Sequence, residues 1–153
     1  MPRPTAADAQ TILHLYDLRR EAEMRKARNW WAVTFWPMSA DDVMKIANNF
    51  GTQENAWFRQ VLGYWEMAAS LALSGAVHRD LFAQPSVSGE MYFLFAKIRP
   101  FLKDVREKLQ SPTFLSNVER LIGSSKQSKD FFRMMEGRIA TRRKAMAEGA
   151  GKG

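Results

Sequence analysis

The stretch that decides the fold is ENAWFRQVLGYWEMAASLALSGAVHRDLF, residues 54–82. Its first two thirds are too long and too apolar for a strand, and they predict a helix at about 53–74 that is buried on most sides. Gly75 follows as a C-terminal stop. One acid, Glu66, lies near the middle of this helix, where a carboxylate without a partner would be costly. The stretch therefore predicts an all-α fold around one central helix, and it singles out Glu66.

The central helix has one polar stripe, which contains Arg59, Gly63, Glu66 and Ser70. Gly63 and Ser70 lie one turn on either side of Glu66, and their small size would let a second helix approach closely. The structural interpretation, which we favour, pairs Glu66 with an arginine of that second helix. The stripe thus predicts the position of a neighbouring helix that carries a cation.

A functional interpretation of the same acid stays open. Burial raises the pKa of a carboxyl group and suits it to general acid or base chemistry. Large aromatic side chains of the same helix would then line a ligand pocket beside Glu66: Trp57, Tyr64 and Trp65. On this interpretation Glu66 is a candidate catalytic or ligand-binding residue.

The N-terminal third predicts one long helix. Thr5 is a suitable N-cap, apolar residues recur at helical spacing from Ile12 onward, and the helix must stop before Pro37. Unbroken, it would contain more than about 30 residues and span roughly 45 Å, longer than a compact domain needs. We therefore expect a bend near Asn29 or a projecting arm.

Shorter helices follow, separated by serine, proline and glycine signals. Ser39 opens a helix that Gly51 closes, and a short helical turn at 77–83 comes after the central helix. Ser88 caps the next helix, in which Pro100 predicts a kink within a continuous apolar periodicity. The pattern predicts a bundle of six to seven helices without strands.

The C-terminal part predicts two more helices. Ser111-Pro112 is a helix-start signal and Gly123 a stop, and after the polar linker SSKQS a last helix is expected at about 129–147. These boundaries predict a helical domain at residues 5–123, a basic C-terminal helix within 124–147 and a disordered tail at 148–153.

Size and composition fit one globular domain: 153 residues, 46% of them hydrophobic and 25% charged. The absence of cysteine excludes disulfides, thiolate catalysis and Cys-based zinc sites. No apolar run approaches the roughly 20 residues that span a bilayer. The N-terminus shows no signal-peptide pattern. We expect a cytoplasmic protein without a transmembrane segment.

Positive charge is concentrated toward the C-terminus. Residues 126–153 carry eight basic and three acidic side chains, which gives +5 of the total net charge of +7. A basic cluster in this region is a candidate phosphate-binding site for nucleic acid: Arg138, Arg142, Arg143 and Lys144. No aromatic residue is interleaved with these charges, so we favour a solvated helix over a binding face.

Metal and cofactor motifs are absent from the sequence. The two histidines, His14 and His78, belong to no metal-binding spacing, and His78 with Asp80 lacks a third ligand. We interpret His78 as a solvated turn residue and His14 as exposed. No glycine-rich phosphate loop or nucleophile elbow occurs. We therefore expect neither a metal nor a cofactor.

The central stretch also resembles a known family. The resemblance is carried by Trp57-Phe58, Tyr64-Trp65-Glu66, Gly75 and Asp80-Leu81-Phe82. These residues are similar to those of an uncharacterised bacterial family of helical proteins, from about residue 15 to residue 122. The resemblance implies a helical bundle and no particular activity.

The leading hypothesis for function is a non-enzymatic interaction or scaffold protein that self-associates as a homodimer. It depends on the 18 aromatic residues (ten Phe, five Trp and three Tyr) and on the long first helix. The alternatives are a nucleic-acid-binding accessory protein acting through the basic C-terminal helix, and an enzyme or small-ligand binder that uses Glu66.

Overall fold

The computed structural model describes residues 2–151. This part of the chain is all-α, with none of its residues in a strand, as the sequence predicts. A π-helix at Trp30–Thr34 follows α2, and a 3₁₀ turn at Arg99–Phe101 joins α6 to α7. The α-helices are α1 (Ala6–Leu18), α2 (Ala22–Asn29), α3 (Ala40–Ala47), α4 (Gln53–Leu73), α5 (Arg79–Phe82), α6 (Pro85–Ile98), α7 (Leu102–Leu109), α8 (Ser116–Ile122) and α9 (Lys126–Ala150).

The central helix of the bundle is α4, which packs against α2, α3, α8 and the π-helix. The Thr52 hydroxyl caps it by accepting a hydrogen bond from the Asn55 N–H, and Gly75 ends the segment at φ +85°. Except for one asparagine, its buried side chains are apolar: Asn55, Phe58, Val61, Leu62, Trp65, Ala68, Ala69 and Ala72. The predicted central helix is confirmed.

The N-terminal region, predicted to bend near Asn29 or to project as an arm, is instead broken earlier, because α1 ends at Leu18 and α2 begins at Ala22. The chain turns after α1, and the Glu21 carboxylate caps α2 by accepting a hydrogen bond from the Met24 N–H at 2.9 Å. At Asn29 the helix changes from α to π without leaving the core, since both segments pack against α4. Within the described residues this region folds back on the bundle and forms no projecting arm.

At Pro100 the sequence predicts a kink within one helix, whereas the structure divides the segment into two helices. Pro100 lies in the 3₁₀ turn, so that α6 ends at Ile98 and α7 begins at Leu102. Proline has no N–H to donate to the carbonyl of the preceding turn. The apolar periodicity nevertheless continues across the interruption, with Leu94, Ile98, Leu102 and Val105 all buried.

Two boundaries before the Pro100 turn differ from the prediction. The helix opened by Ser39 ends at Ala47, and Gly51, at φ +90°, belongs to the following turn. The next long helix begins at Pro85, so Ser88 lies inside α6 as a buried, non-helical residue at φ −124° and ψ 25°. Proline at the first helical position is the start signal that decides this boundary.

Two later helix starts are also displaced. Residues 112–115 form a turn in which Leu115 adopts φ +58°, so α8 begins at Ser116 and not at Pro112. The linker serines belong to the start of α9: the Ser125 hydroxyl accepts a hydrogen bond from the Ser128 N–H at 3.1 Å and caps the helix. The N-cap thus extends α9 into the predicted linker.

The last helix packs along α6 and α8, where Phe132 and Ile139 join the core. It remains helical to Ala150, and residues 152 and 153 of the predicted tail lie outside the described residues. The division into a domain, a basic helix and a tail stays a prediction. No helix in the part of the chain that the structure describes is long and apolar enough to cross a membrane.

Candidate functional site

Glu66 is half-buried and caps the N-terminus of α8. Its Oε2 accepts a hydrogen bond from the Asn117 N–H at 3.1 Å, and its Oε1 accepts one from the Val118 N–H at 3.0 Å. These donors lie in the first turn, where helical N–H groups lack intrahelical partners, and Leu115 provides no side-chain cap. Glu66, a residue of α4, therefore acts as the N-cap of α8.

The prediction that Glu66 pairs with an arginine of a neighbouring helix is wrong. Among residues 2–151 no cationic side chain forms an ion pair with Glu66. Arg59, the arginine of the same stripe, donates from Nε to Asn55 Oδ1 at 2.9 Å. Gly63 is exposed, and a Cβ built there would meet nothing within 4 Å, so no helix approaches closely at that position. Glu66 therefore contacts the N-terminal end of α8, through backbone N–H groups and not through a side chain.

The three aromatic candidates face different surroundings. The Tyr64 hydroxyl donates to the Leu15 carbonyl at 2.6 Å, and burial raises the pKa of Tyr64 to about 12. The Trp65 indole N–H donates to Glu90 Oε1 at 2.9 Å. Trp57 is half-buried and lines a surface depression beside Trp30. The structure therefore assigns Tyr64 and Trp65 to internal hydrogen bonds and separates Trp57 from them.

The Trp65 contact belongs to a small polar group inside the bundle. Glu90 Oε2 also accepts from Arg28 Nε at 2.7 Å, and the Arg19 guanidinium lies 5.0 Å from the centroid of the Trp65 ring. The Glu90 carboxylate thereby joins α2, α4 and α6. Such a group orients three helices, and both oxygens of Glu90 are occupied within it.

Lys97, which sequence reasoning missed, is the fully buried charge of the core. Its Nζ donates to the Trp31 carbonyl and, at 2.6 Å, to the Phe35 carbonyl, both at the C-terminal end of the π-helix. The same Nζ lies 3.8 Å from the ring centroid of Trp36 and 4.8 Å from that of Phe93. Lys97 thus caps the π-helix and is enclosed by aromatic rings.

Burial lowers the pKa of Lys97 to about 7, and the neighbouring Arg143 guanidinium acts in the same direction. A lysine with a lowered pKa is a nucleophile in several enzyme classes. Here the side chain is 0% exposed and its Nζ is hydrogen-bonded to two backbone carbonyls, so no substrate atom reaches it. The arrangement holds the π-helix in place.

The four basic residues of the predicted phosphate site separate into two kinds. Arg143 is half-buried, donating from Nε to the Pro37 carbonyl at 3.1 Å and from a terminal nitrogen to the Lys97 carbonyl. Burial lowers the pKa of Arg143. Arg138, Arg142 and Lys144 are exposed. Arg143 therefore links α9 to the rest of the bundle through hydrogen bonds. The other three predicted cations, Arg138, Arg142 and Lys144, are accessible to a ligand.

Arg138 and Arg142 border a groove between the π-helix and α9. The groove has a volume of about 510 Å³. Apart from the two arginines its lining is apolar: Ala32, Val33, Trp36, Phe93, Met135 and Ile139. We call this the α9 groove. Lys144 does not line it, since it lies on a different side of the helix.

His78 is a helix cap and not the solvated turn residue that we expected. Its Nδ1 accepts from the Leu81 N–H at 3.2 Å, and its Nε2 lies 2.7 Å from the Pro2 carbonyl. Its backbone N–H donates to Asp8 Oδ1 at 2.8 Å, which ties α1 to the start of α5. His14 is exposed, as expected. Within the described part of the chain, no group of three or more histidine or acidic residues is placed to hold a metal.

Comparison with known proteins identifies the family. The family described as Domain of unknown function (DUF4760) matches residues 4–125, which include α1 to α8. The chain belongs to this family. No curated protein and no solved structure matches it.

Proposed function

We propose that the protein is a non-enzymatic cytoplasmic interaction protein that self-associates as a homodimer through the outer face of α1. The observation that carries the proposal is a row of exposed apolar residues on that helix: Ala6, Ala9, Leu13 and Tyr16. We call this row the α1 stripe. Leu13 is 65% exposed and Tyr16 49%, so the two largest members contribute little to the core.

The spacing of the α1 stripe is that of a helix–helix contact. Its members are separated by three, four and three residues, which is the spacing of the seam in a coiled coil. The core-facing side of α1 is a different one, where Leu15 is the buried residue. The stripe is therefore a second apolar face of one helix, and all four of its members are exposed, although the Arg19 guanidinium lies 5.2 Å from the centroid of the Tyr16 ring.

The order of sizes along the stripe favours a second copy of the chain as the partner. In an antiparallel arrangement Ala6 of one copy faces Tyr16 of the other, and Ala9 faces Leu13. Small side chains then meet large ones, as close packing requires. A twofold axis through the middle of the stripe makes both halves of the contact equivalent.

The non-enzymatic part of the proposal is supported by how the interior polar groups are used. The candidate acid Glu66 has both oxygens on the first turn of α8, and Lys97 is enclosed at the end of the π-helix. A general acid or a nucleophile needs a free position next to the reacting atom. Lys97 has none, and both oxygens of Glu66 already accept backbone hydrogen bonds, which also disfavours the small-ligand alternative at Glu66.

Light scattering after size exclusion tests the proposal. The wild-type chain should have twice the monomer mass at micromolar concentration, and the Leu13→Glu variant should be monomeric, because a carboxylate at the seam is desolvated on pairing. Phe50→Glu is the matched control, since Phe50 is 73% exposed but lies outside α1. A monomeric wild type, or dissociation by both variants alike, contradicts the α1 contact.

A further inference from the structure

We propose that the α9 groove binds an amphiphilic anion, a carboxylate or phosphate carried on a single apolar chain. The head group binds Arg138 and Arg142, and the apolar body lies against Trp36 and Phe93. This site is independent of the α1 stripe, which lies on another helix.

The shape and lining of the groove fit such a ligand. Its volume of about 510 Å³ lies within the range of small-molecule sites. The rings of Trp36 and Phe93 meet edge to face with centroids 6.0 Å apart. The π-helix side contributes Val33, whose side chain is 68% exposed and would be covered by an apolar ligand. The groove therefore offers an apolar surface that is open to solvent along one side.

The charges of the groove are all positive. Arg138 and Arg142 are four residues apart on α9, which places both side chains on one face of the helix. Neither forms an ion pair with any residue between 2 and 151, and no acidic residue lines the groove. Behind the Trp36 ring lies Lys97 Nζ, 3.8 Å from its centroid. Two guanidinium groups so placed match the oxygens of one carboxylate or phosphate.

The apolar lining distinguishes this ligand from a bare anion or a nucleic acid. Six of the eight lining residues are apolar, and a bare phosphate would leave them wet. A nucleic acid held through its phosphates would leave the same apolar residues wet. Charge complementarity at the rim and apolar contact in the groove together select an amphiphile.

Titration with monomeric decanoate and with decyl phosphate tests the proposal. Calorimetry should give saturable binding to the full chain, at least about tenfold tighter than binding of acetate or inorganic phosphate. In the amide spectrum the indole N–H of Trp36, which donates to the Ala32 carbonyl at 3.3 Å, should shift. The indole signals of the buried Trp31 and Trp65 should stay in place.

Paired charge variants supply the control. The double variant Arg138→Ala/Arg142→Ala should lose at least about tenfold in affinity, because both contacts to the head group are charge-assisted hydrogen bonds. The double variant Lys129→Ala/Lys144→Ala removes the same charge from exposed positions outside the groove and should bind as the wild type does. All four positions are exposed, so both variants should fold.

The outcomes separate the sources of the ligand and the competing classes of partner. Binding of monomeric decanoate supports a free amphiphile. Arginine-dependent binding to phosphatidylglycerol vesicles supports the same head-group chemistry presented by a lipid surface. Three results overturn the proposal: no binding of any probe at millimolar concentration, equal loss in both double variants, or tight binding of an oligonucleotide with which decanoate does not compete.

Discussion

Glu66 and Lys97 are two charges inside the same bundle, and each is paired with a helix end and not with an opposite charge. Glu66 accepts two backbone N–H groups from the start of α8, and Lys97 donates to two carbonyls at the end of the π-helix. Both contacts follow the helix dipole, which favours a negative charge at the N-terminus and a positive one at the C-terminus. The bundle thus joins its helices by capping their ends from other elements.

The difference between the two sites lies in burial and in the charge nearby. Glu66 is half-buried and keeps some solvent, whereas Lys97 is fully buried and has the Arg143 guanidinium as a neighbour. The ammonium form of Lys97 is therefore the costly one, and the pKa of Lys97 is lowered to about 7. The stability contribution of Lys97 should therefore change with pH near neutrality.

The largest expected effect is a pH dependence of stability at Lys97. The unfolded lysine keeps its proton up to a pKa of 10.5, whereas the folded one releases it near 7. Between these values the unfolded state binds more protons, so stability rises with pH. From pH 7 to pH 9 the wild-type free energy of unfolding should rise by about 2 kcal/mol relative to that of Lys97→Met. Urea denaturation at both pH values measures it, and a constant difference contradicts it.

A second prediction concerns the tie beside Lys97. Arg143→Ala removes the hydrogen bonds to the Pro37 and Lys97 carbonyls and should lower the free energy of unfolding by about 1.5 kcal/mol. The adjacent Arg142→Ala is the matched control, since Arg142 is exposed, and its effect should stay within about 0.5 kcal/mol. If Arg143→Ala and Arg142→Ala lower the free energy of unfolding equally in urea denaturation, the hydrogen bonds of Arg143 contribute no stability.

A third prediction concerns the other site. Glu66→Gln leaves one acceptor oxygen for the first turn of α8 and removes the charge, so stability should fall by about 1 kcal/mol. The exposed Glu107→Gln on α7 should be neutral in the same denaturation experiment. If Glu66→Gln is as stable as the wild type, the contact with α8 contributes no stability.

The smallest effect is expected one turn from Glu66. Gly63 is helical, exposed and free of neighbours within 4 Å of a built Cβ, so Gly63→Ala should raise stability by about 0.5–1 kcal/mol. Gly75→Ala is the contrasting variant, because its φ of +85° strains any residue with a Cβ. Differential scanning calorimetry would show the opposite shifts in Tm. A lower Tm for Gly63→Ala would contradict this expectation and would support the close helix approach at Gly63 that the sequence predicts.

Local signals in the sequence predicted the elements that depend on them. The apolar run of α4 and the stop at Gly75 are properties of neighbouring residues, and both are confirmed. Pro100 also marks a break in helix geometry, but as a 3₁₀ turn between two helices and not as the predicted kink in one helix. The turn between α1 and α2 was missed because no glycine or proline marks it. Its cap is Glu21, a residue type that is more common within helices.

The partners of Glu66 and Lys97 could not be predicted from local signals in the sequence. The donors that meet Glu66 are backbone N–H groups, which every residue except proline carries, so no letter of the sequence identifies them. Lys97 lies in a regular apolar helix, where a lysine is ordinarily expected to extend its ammonium group to solvent. What keeps it inside is the end of the π-helix, which only the folded chain brings there.

The position of α9 has a consequence for how the chain folds as it is made. Tyr92 and Phe95 of α6 are covered by Phe131 and Phe132, with ring centroids 4.8 and 5.3 Å apart. α6 leaves the ribosome before α9, so this aromatic surface stays uncovered until α9 has also emerged. The nascent chain therefore passes through a state in which the aromatic surface of α6 is exposed to solvent. Chaperones that bind exposed hydrophobic surface can bind the chain in that state.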